Sequence, residues 1–335
     1  MMLTRRSTLG LALAASLFAT PAFADWQPDK PIRIIVPWGA GGSTDQLART
    51  LAGDLEEALG TTVVVVNQPG GAGAVGTKAA LDAEADGYTW TAGATKDLGT
   101  YVVTGALDTQ LKDWHLYLAT VNFTVLSANA NSELNTIEDI VAAMKSGDGS
   151  VTIATGGINS AGGASAEALK AATDGDYKMV TYDGGAPAVQ AAAAGETELT
   201  TQLIAEQYEM LRAGRLTPIA AFTDDDVTMD EIGTIPSIKG MVPGIAAGPV
   251  HFGVFVPGNV PDDVITKLDE VWDSTIANSE RLSEYAASKG LSVLVMRGQA
   301  AQDAAFPVVQ MNAWQIHDGG KSIVSPDEVG IPRPQ

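Results

Sequence analysis

The sequence of 335 residues contains no cysteine. It therefore forms no disulfide, offers no thiolate to a metal or a substrate, and lacks the N-terminal cysteine that anchors a lipoprotein. Histidine is nearly as scarce, and His115, His251 and His317 have no second His or Glu at the spacing of a helical zinc site. No metal site is predicted.

Basic residues are outnumbered two to one, with 20 Lys and Arg against 40 Asp and Glu. Without the first 24 residues the balance is 18 basic to 40 acidic residues, a net charge of −22. Such a surface repels nucleic acid and anionic lipid, so neither is an expected partner. An anionic ligand would have to be held by short-range hydrogen-bond donors, because the long-range field repels it.

Apolar runs long enough to cross a bilayer are also absent, since the longest candidate covers residues 9–19 and a span needs roughly 20 residues. This run follows Arg5-Arg6 and precedes Ala22-Phe23-Ala24, a site of the small-x-small type. The order predicts a secretory signal peptide over residues 1–24, cleaved after Ala24, rather than an uncleaved anchor. We expect a periplasmic protein without membrane insertion, exported by either the general or the twin-arginine route.

Short apolar runs alternate with helical patterns along the remaining chain. Residues 32–36, 63–66 and 88–92 are predicted strands, and leucines at helical spacing follow the first of them. The same alternation returns from residue 151, which predicts an α/β fold with two lobes, each a mostly parallel sheet flanked by helices.

The predicted domain boundaries follow from this alternation and from one interruption. Lobe 1 is expected to comprise residues 25–123 plus 248–335, and lobe 2 residues 124–247. The segment 223–249 breaks the pattern with three consecutive aspartates, prolines and glycines, and is predicted to be a surface excursion.

Two glycine-rich turns follow the first two predicted strands, at 38–42 and 67–73, and each opens a helix. Ligands of open α/β sheets bind at this edge. Helix N-termini present unpaired N–H groups and about half a positive charge, and glycine allows close approach to the backbone. Two such turns side by side predict an anion cradle that needs no Arg or Lys. The alternative is that the glycines only make tight turns.

A nucleotide cofactor and an enzymatic site are the chemical alternatives to this interpretation. Residues 71–76 fit G-x-G-x-x-G, but Asn67-Gln68-Pro69 separates them from the strand and no acid ends the next strand. No cofactor is predicted, and the protein is not expected to be an enzyme. Two alternatives stay open: an exported serine-type hydrolase using Ser43 or Ser160, and an extracellular sensor or adhesion module.

The glycine turns and their surroundings resemble a known family over nearly all of the mature chain. The sequence is similar to the periplasmic solute-binding receptors of the tripartite tricarboxylate transporter family, also called Bug receptors. The strongest matching segments are residues 31–45 (PIRIIVPWGAGGSTD), 65–73 (VVNQPGGAG) and 86–89 (DGYT), with weaker ones at 182–188, 213–220, 235–237 and 255–257.

The resemblance implies a periplasmic-binding-protein (Venus flytrap) architecture that closes around a small carboxylate and delivers it, as a monomer, to the membrane subunits of a tripartite transporter. It also implies that Asp183 stands where the family usually has Lys. The expected ligand-binding residues lie in the two glycine turns, just after the third strand and in the facing part of lobe 2. They are Trp38, Gly39, Ala40, Gly41, Gly42, Ser43, Thr44, Asp45, Asn67, Gly70, Gly71, Ala72, Gly73, Lys96, Gly157, Ser160, Ala161, Tyr182 and Thr201.

Overall fold

The computed structural model describes residues 26–147 and 149–334, so the predicted signal peptide lies outside the described residues. The strands are β1 (Ile32–Val36), β2 (Val63–Asn67), β3 (Thr89–Ala94), β4 (Trp114–Asn122), β5 (Val125–Asn129), β6 (Thr152–Thr155), β7 (Lys178–Thr181), β8 (Leu199–Thr200), β9 (Leu216–Ala221), β10 (Val227–Met229), β11 (Gly233–Ile235), β12 (Val250–Pro257) and β13 (Ser292–Arg297).

The α-helices are α1 (Ser43–Leu59), α2 (Ala74–Leu81), α3 (Thr95–Thr104), α4 (Ile137–Ser146), α5 (Ala161–Thr173), α6 (Gly185–Ala194), α7 (Ile204–Arg212), α8 (Ile238–Met241), α9 (Asp262–Ser274), α10 (Glu280–Ser288) and α11 (Gly298–Asp318). Short 3-10 turns lie at Gly71–Gly73, Leu111–Asp113, Ile276–Asn278 and Pro326–Val329. Within the described residues, no helix combines the length and apolar character needed to cross a membrane.

The strands form two larger sheets, which confirms the two-lobed α/β prediction. The first sheet has the order β13-β4-β12-β3-β1-β2 and the second the order β7-β6-β8-β5-β9. Helices cover both faces of each sheet, and neighbouring side chains of β1 alternate between them: Ile34 packs in one core cluster and Ile35 in the other. This burial on both faces explains why β1 reads as a continuous apolar run.

Both sheets are mixed rather than mostly parallel, which corrects one detail of the prediction. β1 pairs in parallel with β2 and β3, and β6 with β7 and β8. β4 and β12, however, are antiparallel neighbours. The physical reason is that β4 leads from the first sheet into β5 of the second, whereas β12 leads back, so the two run in opposite directions.

Helix α1 shows how the sequence builds the elements that carry the glycine turns. Leu47, Leu51 and Leu55 are buried against the first sheet, and each buried leucine stabilises the fold by about 1.5–3 kcal/mol. The helix ends at Gly60, whose φ of 65° is the left-handed conformation that glycine adopts without strain. Its other end points at the second lobe.

The segment 223–249 is not the surface excursion that its composition predicted. β10 and β11 form a hairpin, and Ile235 and Ile238 are completely buried in the core of the second lobe. The acidic residues before the hairpin conceal this contribution, because isolated buried isoleucines in a short segment leave no periodic pattern.

Candidate functional site

Backbone turns from the two lobes meet directly in a closed cleft. The N–H of Gly39, in the first glycine turn, donates to the carbonyl of Asp183, in the turn before α6, at 2.8 Å. In the second glycine turn, the Cβ of Ala72 would lie 3.2 Å from a Cβ built at Gly157, at the end of β6. The two predicted glycine turns of lobe 1 therefore face two turns of lobe 2, one after β6 and one before α6.

The first turn is held together by Asp45. Its carboxylate accepts hydrogen bonds from the N–H of Gly41 at 2.9 Å, from Arg49 Nε at 3.0 Å and from Asn67 Nδ2 at 2.9 Å. Although burial alone raises its pKa, the hydrogen bonds from Arg49, Gly41 and Asn67 hold the pKa of Asp45 below its usual value. Asn67 also donates to the carbonyl of Trp38, which ties the two glycine turns to each other.

The second turn has an unusual backbone. Gly70, Gly71, Ala72 and Gly73 all have positive φ, at 130°, 58°, 50° and 92°. Gly73 has no room for a side chain, because a Cβ there would lie 2.5 Å from the hydroxyl of Tyr101 and 2.9 Å from the indole of Trp38. The turn is thus packed against Trp38, which is itself 9% exposed and lies between both lobes.

Lys96 and Asp97 form a buried ion pair at the start of α3. Lys96 Nζ lies 3.1 Å from Asp97 Oδ1 and donates across the cleft to the carbonyl of Asn159 at 2.6 Å. Burial lowers the pKa of Lys96, against the opposing effect of Asp97, and burial raises the pKa of Asp97. The predicted position of Lys96 in the cleft agrees with this geometry, but its charge is already paired.

Glu206 of α7 places the protein's own carboxylate at the first glycine turn. Its Oε1 accepts from the N–H of Ser43, the first residue of α1, at 3.1 Å. The side-chain amide of Gln202 bridges to this carboxyl group. Its oxygen accepts from Gly156 N–H at 2.8 Å, and in the same orientation the Gln202 amide nitrogen donates to Glu206 Oε2 at 3.2 Å. A Cβ at Gly185 would overlap this carboxylate. Glu206 therefore lies where the N-termini of α1, α6 and α7 converge.

The surroundings of Glu206 favour its neutral form. Burial raises its pKa, the N–H groups of Ser43 and Leu203 lower it, and the charge of Asp97 raises it again, with a net pKa of about 7. The ordinary value is 4.5. No ion pair of Glu206 is present among residues 26–147 and 149–334.

The closed cleft leaves a cavity of about 20 Å³. A single water needs about 10–15 Å³, so the cavity holds a group of that size and no whole metabolite. Wider grooves, such as the one beside Lys30 and Asp86, are open depressions far from the glycine turns. The cavity is lined by Trp38, Thr44, Ala94, Asp97, Ser160, Ala161, Gly185, Gln202, Leu203, Glu206 and Phe252.

The remaining predicted residues divide between the cleft and the interior of lobe 2. Ala161 lines the cavity, and Ser160 caps α5 by accepting from Gly163 N–H at 3.0 Å. Thr201 is completely buried and donates to the carbonyl of Gly162 at 2.7 Å. Tyr182 directs its hydroxyl to Glu196 at 3.2 Å and is not among the cavity residues.

The predicted residues of lobe 1 divide into exposed residues at the mouth of the cleft and buried residues beneath it. Ala40, Gly41 and Gly71 are exposed at the mouth of the cleft. Gly42 and Thr44 are buried beneath it, and a Cβ at Gly42 would lie 3.3 Å from Glu206 Oε1.

Sequence reasoning missed Glu206 and Asp97. Asp97 follows Lys96 directly, so the end of β3 could have drawn attention to it. Glu206 lies three residues after Leu203, the residue that precedes α7, which is the usual place for a glutamate that caps its own helix. Nothing local to α7 indicates that the same carboxylate reaches α1, 163 positions away.

The geometry gives no support to the serine hydrolase alternative. Ser43 Oγ accepts from Asn122 at 3.4 Å, and Ser160 Oγ donates to the carbonyl of Gly157 at 2.7 Å. Within the described part of the chain, neither hydroxyl hydrogen-bonds a histidine. A hydroxyl nucleophile needs an adjacent general base, and the hydrogen bonds of these two hydroxyls within residues 26–147 and 149–334 supply none.

Comparison with known proteins agrees with the fold and shows the family. Residues 47–315 match the model of the tripartite tricarboxylate transporter family receptor. Protein BugT of Bordetella pertussis (strain Tohama I) is 28% identical over 302 residues, covering 88% of this chain and 90% of BugT.

Solved structures with the same fold include two binding proteins of low sequence identity. The periplasmic binding protein BugD superposes with a TM-score of 0.80 at 22% identity, over 88% of this chain and 99% of BugD. MatC from Rhodopseudomonas palustris, solved with bound malate, has a TM-score of 0.76 at 20% identity, over 85% of this chain and 99% of MatC.

Proposed function

We propose that this protein captures a small carboxylate between its two lobes. The chain belongs to the tripartite tricarboxylate transporter family of receptors. It is therefore a periplasmic solute-binding receptor and not an enzyme. MatC, which has the same fold, was solved with malate, and this supports the ligand class. The ligand would then pass to the membrane subunits of a tripartite transporter.

One observation carries this proposal. The cleft directs backbone groups at one carboxyl group, that of Glu206, which lies at the N–H of Ser43 and beside the first turn of α6, and these N–H groups lower its pKa against the larger effect of burial. Converging helix N-termini stabilise an anion through their N–H groups and partial positive charge, without a cationic side chain. The glycine turns at 38–42 and 70–73 offer further N–H groups of this kind, and these are the short-range donors that a strongly acidic protein needs to hold a ligand carboxylate.

The mature protein and its moving parts are part of the same proposal. We infer cleavage after Ala24, a monomer, and lobes comprising residues 25–123 plus 248–335 and residues 124–247. The two crossings, between β4 and β5 and ahead of β12, act as the hinge. The predicted ligand-binding residues contribute mainly through the backbone of the turns at 38–42 and 70–73.

A thermal-shift screen of small mono-, di- and tricarboxylates tests this function, because a ligand that binds only the folded state raises Tm. Hits are then titrated by calorimetry. We expect at least one carboxylate to raise Tm in a saturable way. A Tm that no member of the panel changes would contradict the proposal.

Gly39→Ala tests whether the ligand is held by closure. Gly39 has ordinary φ, so alanine brings no backbone strain, yet its Cβ would lie 2.6 Å from the carbonyl of Asp183 across the cleft. We expect affinity to fall at least about tenfold, or about 1.4 kcal/mol. Gly240→Ala is the control, since that Cβ would contact nothing within 4 Å. Equal affinities for the two variants would contradict binding by closure.

A further inference from the structure

Two acids face the same small cavity in the cleft, and this determines which carboxylate fits. Glu206 and Asp97 both line it, together with the uncharged Thr44 and Gln202. Asp97 is 5% exposed, and its Oδ1 accepts no hydrogen bond among the described residues, although it lies 3.1 Å from Lys96 Nζ. Lys96 is therefore shared between Asp97 and Asn159, and in the part of the chain that the structure describes no cation pairs with Glu206.

The cavity walls thus carry two carboxyl groups against one cation. Their mutual repulsion and their burial both raise the pKa of Glu206, so any group that enters next to them is selected for positive charge. The space of about 20 Å³ matches a single group the size of water, which is also the size of an ammonium. Glu206 uses its two oxygens for the N–H of Ser43 and the amide of Gln202, and each oxygen retains a second lone pair.

We propose that the ligand carries an amino group, which enters between Glu206 and Asp97, so that the receptor takes small amino carboxylates in preference to their amine-free analogues. This inference rests on the proposed function. An ammonium here pairs with Glu206, completes the unfilled hydrogen bond of Asp97 Oδ1 and neutralises the excess acid of the cavity.

A second ligand carboxylate at this position is disfavoured for the same reasons. It would have to remove Glu206 from Ser43 N–H, and the displaced acid would then lack a cation in a partly buried position. The carboxylate of an amino acid is instead directed to the second glycine turn at Gly70–Gly73, which faces Gly157 of the other lobe. Glu206 is thereby a specificity-determining residue.

Matched ligand pairs test the proposal by calorimetry on the mature protein at pH 7.5. Glutamate is compared with glutarate, aspartate with succinate, and alanine with propionate, because each pair differs by one amino group. In at least one pair we expect the amino member to bind about tenfold tighter or better. Binding of the amine-free members with equal or higher affinity would overturn the inference while leaving the proposed function intact. No binding of any carboxylate would overturn both.

Glu206→Gln and Asp97→Asn separate this role from a structural one. Both keep the shape of the side chain, and the amide oxygen introduced by Glu206→Gln still accepts from Ser43 N–H. We expect each to lower the affinity for the amino member at least about tenfold, and to leave the amine-free member unchanged or tighter. Glu209→Gln removes an exposed acid from the same helix and serves as the control. A preference for the amino member that persists in both cleft variants would overturn the assignment to Glu206 and Asp97.

Discussion

Lys96 links the two lobes, and the residue is almost completely buried, with 1% of its surface exposed. Removing one partner of a buried ion pair leaves the other uncompensated, which costs about 3–5 kcal/mol. We expect Lys96→Met to lower the free energy of unfolding by about this amount, measured by urea denaturation. The loss includes the hydrogen bond to Asn159.

The double variant Lys96→Met/Asp97→Asn shows whether the uncompensated charge is the cause. It removes both charges and should recover a large part of the lost stability, because no buried carboxylate remains without a partner. A double variant that is less stable than Lys96→Met alone would contradict this explanation and indicate that Asp97 has another partner.

Glu206 makes stability depend on pH in a defined direction. Its pKa of about 7 in the folded protein exceeds the ordinary 4.5, so the folded state binds the proton more tightly. Its contribution is fully present below pH 4.5 and is lost as pH rises towards and through 7. We expect Tm of the ligand-free protein to fall between about pH 5 and pH 8, and to fall less in Glu206→Gln.

The control for this pH dependence comes from the neighbouring groups. Burial raises the pKa of Asp97, so part of the fall in stability with pH persists without Glu206, whereas the lowered pKa of Lys96 acts in the opposite direction. Glu209→Gln should keep the wild-type slope, since Glu209 is exposed and already paired with Arg212 and Lys289. If Tm falls equally with pH in wild type and Glu206→Gln, burial of Glu206 does not cause the pH dependence of stability.

Individual residues also show where sequence reasoning ends. Asp45 and Asn67, both expected to bind ligand, hold the first glycine turn through hydrogen bonds to Gly41 and Trp38 in the same lobe. The bond from Ser43 to Glu206 joins residues of different lobes. Local pattern cannot predict such contacts, because they depend on how far the two lobes approach each other.

At the scale of elements, the glycine turns are the parts that the sequence predicted best. β1 begins and ends at the predicted residues, and α1 starts at Ser43, directly after the predicted turn. The mixed strand directions escaped prediction, because an apolar run buried on both faces reads alike in either direction. The burial of part of segment 223–249 was not predicted, because its apolar residues show no helical or strand periodicity.

Gly41→Val and Gly71→Val test the turns as anion-binding elements. Both residues have positive φ, at 81° and 58°, which a β-branched side chain strongly disfavours, so each substitution should rotate the local N–H groups. We expect ligand affinity to fall at least about tenfold while far-UV circular dichroism stays unchanged.

Gly60→Val provides the matched control for the turn variants. Gly60 has φ of 65°, and like Gly41 it has nothing within 4 Å of a built Cβ, but it lies at the far end of α1. It should suffer comparable strain and keep its affinity. If Gly60→Val and Gly41→Val weaken binding equally, the effect is general destabilisation and the turn is not a binding element.

At the scale of the whole molecule, the lobes are joined by more than the two strand crossings. Helix α11 packs against α3 of lobe 1 and α5 of lobe 2, and Gln315 donates to the carbonyl of Ala164 at 2.6 Å. Lys289, which follows α10, also pairs with Glu209 of α7 at 3.3 Å. The closed arrangement is therefore supported around the cleft, and ligand entry requires these contacts at its mouth to separate.

A cysteine pair can fix this closed arrangement covalently. The Cβ of Ala72 and a Cβ built at Gly157 would lie 3.2 Å apart, slightly less than the roughly 3.5–4.5 Å that a disulfide spans. Gly157 has φ of 96°, so a small backbone shift must accompany Gly157→Cys. The chain has no other cysteine to interfere. We expect Ala72→Cys/Gly157→Cys to form a disulfide under oxidising conditions. The protein oxidised without ligand should then lose ligand binding, because its locked lobes cannot separate to admit a metabolite into a cleft with only about 20 Å³ of free space.

Reduction separates locking from damage to the second glycine turn. The reduced double variant should regain binding, because its lobes are free to separate again, and each single cysteine variant should bind alike with and without oxidant. Calorimetry before and after reduction measures the difference. If the oxidised, cross-linked protein takes up ligand as readily as the reduced one, the ligand enters without separation of the lobes, and capture by hinge closure is wrong.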